Sequence, residues 1–97
     1  MERKYILEVI HKYIKDYKMY RTPTYRQRRE FFAQESYGRW TVKEALRIAL
    51  YSPEPLLELK RFTKRMGDYA CRTKTETQKF MYAIAYDVLT DILCELI

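Results

Sequence analysis

Glycine occurs only twice and proline only three times in this 97-residue chain. Folds built from many short strands need the tight turns these residues supply, so their scarcity argues against a sandwich or barrel. Histidine occurs once, as His11, and cysteine twice, as Cys71 and Cys94, with no C-x-x-C spacing. One imidazole and two isolated thiols do not make a zinc ligand set, nor do they pair a nucleophile with a base. Unpatterned cysteines fit a reducing, cytoplasmic setting. No glycine-rich phosphate loop is present. The longest apolar stretch, from Phe80 to Ile97, is broken by Asp87, Asp91 and Glu95, and no charged leader precedes an apolar run. Neither a membrane span nor a signal peptide is therefore expected. These absences together predict a protein that acts by binding, without catalysis, cofactor, metal or small-molecule substrate.

What the chain does have is an apolar fraction of 47% and a charged fraction of 33%. That composition is sufficient for one core in a single domain spanning 1–97. Three copies of one pattern punctuate it: Thr24-x-x-Gln27, Thr41-x-x-Glu44 and Thr75-x-x-Gln78. Each fits a capping box, in which the Thr hydroxyl accepts from a first-turn amide and the Gln or Glu reaches back. Ser52-Pro53-Glu54-Pro55 is a further start signal, since proline is pre-set for a first helical turn.

These starts, with an uncapped N-terminal stretch, predict an all-α bundle of about five helices, near 3–20, 25–36, 42–51, 54–70 and 76–97. Thr22-Pro23 ends the first, and Gly38 is the expected break between the second and third. Ile6, Val9, Ile10, Tyr13, Ile14 and Tyr17 recur at helical spacing in the first. Phe31 and Phe32 are expected to point inward from the second, and Leu56, Leu59, Phe62, Met66 and Tyr69 from the fourth. The fifth has an apolar face wider than half its circumference, from Phe80 to Leu96. It is read either as the centre of the bundle or as a contact in a homodimer. Asp87, Asp91 and Glu95 form a stripe along its other side. A solvated stripe, or an ion-pair partner for Lys60, Arg61, Lys64 and Arg65, is the favoured reading over a metal site.

Charge is the main functional lead. The chain carries 19 basic and 13 acidic residues, a net charge of +6. Residues 1–72 hold 17 basic and 9 acidic groups, whereas 73–97 hold 2 and 4, so +8 stands against −2. A basic body with an acidic last helix would attract a polyanion on one side. Arg26, Arg28 and Arg29 crowd the start of the second helix, where cations oppose the macrodipole and need another reason to be there.

The segment from Arg3 to Ile10, with Tyr13-Ile14, Met19 and Pro23-Thr24-Tyr25-Arg26, resembles the start of LexA-type winged-helix DNA-binding domains. Phe32-Ala33, Gly38, Thr41-Val42 and Ala45-Leu46 are similar to the helix-turn-helix pattern of bacterial repressors. The resemblance, over about half the chain, implies a helix-turn-helix in the N-terminal half with residues 42–51 as recognition helix. It implies that Arg39, Trp40, Lys43 and Arg47 face the major groove and that Arg26, Arg28 and Arg29 grip phosphate. Four features depart from the pattern: two extra residues precede Pro23, the interval from Ala33 to Thr41-Val42 is one residue short, Tyr37 stands where the turn glycine belongs, and a helix start at 52–55 replaces the β-hairpin wing. The expected function is a DNA-binding or regulatory accessory protein. The alternative is a helical protein–protein interaction module whose basic faces are merely solvated.

Overall fold

Four helices follow one another: α1 (Arg3–Asp16), α2 (Tyr25–Tyr51), α3 (Pro55–Arg72) and α4 (Glu76–Leu96). The computed structural model describes the backbone of residues 2–16 and 25–97 and the side chains of 2–13 and 36–97. No strand occurs among the described residues, so the all-α expectation holds. The number of helices does not. The expected second and third helices are one helix of 27 residues.

The reason lies at Gly38 and Thr41. A single glycine weakens a helix by only about 1 kcal/mol relative to alanine, and packing readily offsets that. Gly38 is buried within α2, and the helix runs through it. Thr41 is fully buried and its hydroxyl donates to the Tyr37 carbonyl at 2.7 Å, one turn back. A threonine bonding in that direction is a mid-helix residue. Glu44, the expected partner of its capping box, bonds Arg47 instead. Thr41 therefore does not start a helix, and the turn of the expected helix-turn-helix is absent from 25–51.

The starts expected near 52–55 and at Thr75 fall at those positions. α2 begins at Tyr25, next to Thr24, which with the expected stop at Thr22-Pro23 lies outside the described residues. Ser52 Oγ accepts from the Glu54 amide at 3.2 Å, and α3 opens on Pro55. Thr75 is the N-cap of α4, though its side chain makes no capping bond. The backbone bond from Lys79 N to Thr75 O, 3.0 Å, closes that first turn.

The core joins Ile6, Val9 and Ile10 of α1 to Val42, Ala45 and Ala49 of α2. Leu59, Phe62 and Met66 enter from α3, and Ile84, Ala85, Val88, Leu89, Ile92 and Leu96 from α4. α4 packs against all three other helices, which accounts for the width of its apolar face within the chain. Alanines at 45, 49 and 85 let the backbones approach closely. α3 and α4 form an antiparallel hairpin. At its middle Gly67 faces Tyr86 so closely that an added Cβ would lie 3.0 Å from two ring carbons. Gly67 thus serves an approach between helices, and α3 continues past it to Arg72. Glu95 ties the last helix to the first, accepting from Tyr13 Oη at 2.9 Å and pairing with Lys12 at 3.5 Å.

Candidate nucleic-acid interface

Because α2 is continuous, Arg39, Lys43 and Arg47 fall at i, i+4 and i+8 on one helix, and all three are exposed. Residues four apart share a face, so these cations form a row. Buried Val42, Ala45 and Ala49 hold the opposite side of α2 against the core. Arg47 is not idle: its Nη2 and Nε donate to Glu44 Oε2 at 2.7 and 3.2 Å. The arginine side chain keeps 66% of its surface in water, so the pair is screened and worth little. Arg26, Arg28 and Arg29 lie in the first turns of the same helix, and their side chains are outside the described residues.

Trp40 departs from that row. It leans towards α3, with its ring centroid 6.1 Å from that of Phe62 and the planes tilted by 41°. Phe62 is buried, whereas Trp40 keeps 44% of its surface exposed. Between α2 and α3 this creates a groove of about 560 Å³. Trp40, Tyr51 and Tyr69 rim it, and Arg47 and Arg65 stand on its walls with Glu44 and Glu58. Periodicity within one helix carries no signal for such a groove, because its two sides come from different helices. Only the basic doublets Lys60-Arg61 and Lys64-Arg65 hinted that α3 has a cationic outer face, and all four are exposed. Arg61 pairs with Glu58 at 3.3 Å.

The remaining chemistry-bearing residues are spread apart. His11, Cys71 and Cys94 are exposed, and both thiols are free. Among the described residues no group of histidine, cysteine and carboxylate side chains could hold a metal ion. Asp87 shares a second groove, of about 600 Å³ between α3 and α4, with Lys60 and Lys64. The ion pair found on the acidic stripe runs from Glu95 to Lys12, not to α3. No helix among the described residues is long and apolar enough to cross a membrane. Comparison with protein-family models, curated proteins and solved structures finds no match for the chain.

Proposed function

We propose that this chain is a small non-enzymatic nucleic-acid-binding protein, acting through the outer faces of α2 and α3. The observation that carries the reading is the exposed row Arg39, Lys43, Arg47 on one unbroken helix, flanked by Arg65 across a groove. Phosphates are bound by such rows through counterion release, with no need for a turn between two helices. Arg26, Arg28 and Arg29 extend the same helix towards its start and supply further phosphate contacts in this reading. The loss of the helix-turn-helix break removes the specific repressor geometry, so the contacts proposed are to the backbone rather than to a defined DNA sequence. Two free cysteines suit a reducing compartment.

The second reading, a protein-interaction module, is favoured by one feature. Glu44 and Glu58 stand in the groove beside the arginines, and mixed charge suits a protein surface. Salt separates the two. Binding of labelled oligonucleotide, followed by anisotropy between about 50 and 200 mM salt, should fall with a log–log slope of about −3 or steeper. Replacing Lys43 and Arg47 together with Ala should flatten that slope by about 1–2 and weaken binding to every sequence alike. No retention at the lowest salt would leave the interaction module as the reading.

A further inference from the structure

We infer that the groove between α2 and α3 takes an unpaired base stacked on Trp40, so that the protein prefers single-stranded over duplex nucleic acid. This rests on the nucleic-acid reading above and specifies its ligand. Three large aromatic residues rim one groove and remain in water: Trp40 at 44%, Tyr51 at 80% and Tyr69 at 41% exposure. Tryptophan and tyrosine gain by burying such surface, and a flat base supplies a face of matching size. The groove's volume lies within the range of clefts that enclose small flat ligands.

Charge selects among aromatic ligands. Arg47 of α2 and Arg65 of α3 line the groove from its two sides, which matches a base whose phosphates lie on either side. In a duplex the bases are already stacked and their faces are unavailable, so a duplex would meet only the cationic row. Trp40 is turned from that row onto Phe62, where the major groove of a duplex docked on α2 would not reach it.

Trp40 is the chain's single tryptophan, so its fluorescence reports this groove alone. Titration with oligo(dT) should quench it, and oligo(dT) should bind about tenfold tighter than a hairpin duplex of equal phosphate number. Trp40→Ala should cost about tenfold on oligo(dT), the scale of one lost stack, and leave duplex binding nearly unchanged. Tyr51→Ala, at a position too exposed to affect folding, should weaken oligo(dT) severalfold. Trp40→Phe should retain most of the affinity. Equal affinity for the duplex without quenching would overturn the inference while leaving the nucleic-acid reading intact. Equal quenching by poly-glutamate, a polyanion without bases, would also overturn it and point to an acidic protein segment. No binding of either oligonucleotide at low salt would end both.

Discussion

The guanidinium of Arg3 donates to the carbonyl oxygen of Ala49, 46 residues away, and its second arm reaches Ser52 O at 2.6 Å. The last turn of α2 contains no basic residue of its own, so Arg3 supplies from α1 the cation that a helix C-terminus favours. Removing it leaves partly buried carbonyls without a donor. Arg3→Ala should lower stability by about 2 kcal/mol in urea denaturation. Arg3→Lys should recover only part of this, because an ammonium cannot serve two carbonyls with a rigid fork.

Gly67 and Tyr86 should be energetically coupled. Alanine at 67 gains about 1 kcal/mol of helix propensity but brings a methyl to 3.0 Å from the Tyr86 ring. Gly67→Ala should therefore be more stabilising in a Tyr86→Ala background than in the wild type, by about 1 kcal/mol. Thermal melts of the four proteins measure this; simple additivity would show that the ring moves aside at no cost.

Glu44 restrains Arg47. Glu44→Gln should leave stability within about 1 kcal/mol, since the pair is exposed. It should nevertheless raise affinity for oligonucleotides severalfold at low salt, because a cation is released and a like charge to phosphate is removed. Weaker binding would mean that the carboxylate itself contacts the ligand.

Thr41 distinguishes a cap from a mid-helix residue. As an N-cap, its loss would cost about 1 kcal/mol or more. In the structure its hydroxyl bonds a Tyr37 carbonyl that already belongs to the helix ladder. Thr41→Val, which keeps the buried volume, should change stability by no more than about 0.5 kcal/mol. A drop of 2 or more in chemical denaturation, on the scale of about 2 kcal/mol seen for the strongest caps, would restore the expected helix start.

Leu89 is fully buried at the centre of α4, whereas Leu57 on α3 is exposed. Leu89→Ala should cost about 2–5 kcal/mol and Leu57→Ala less than about 0.5 kcal/mol. Leu96 is also buried within the chain, so Leu96→Asp should destabilise the bundle rather than merely fray its last turn. The burial of Leu89, Ile92 and Leu96 against the chain's own helices removes the reason for assigning that face to a homodimer.

Which of these features could be read in advance follows from their range. Ile6, Val9 and Ile10, Leu59, Phe62 and Met66, and Ile84, Ala85, Val88, Leu89, Ile92 and Leu96 of α4 are set by spacing along one helix and are buried as expected, whereas Phe80, expected on the same α4 face, is exposed. Tyr69 shares that spacing yet stays half in water, because its ring lies at the edge of the core, 5.3 Å from that of Tyr82 on α4, and borders the groove. Gly38 and Thr41 failed as punctuation because a glycine and a Thr-x-x-Glu pair look alike at a helix end and inside a packed helix. For the site, Arg39, Trp40, Lys43 and Arg47 were legible as outward residues. The convergence of Trp40 and Arg47 with Arg65 was not, since it depends on how α2 and α3 pack.

The tie between Glu95 and the side chains of Lys12 and Tyr13 has a consequence for biosynthesis. Six of the fifteen buried apolar side chains described belong to α4, which is translated after α1, α2 and α3. Until it emerges, α1, α2 and α3 lack the helix that packs against all three. A nascent chain stalled before Thr75 should thus be cut by proteases faster than the 97-residue chain, and native order should be completed only once α4 has been translated.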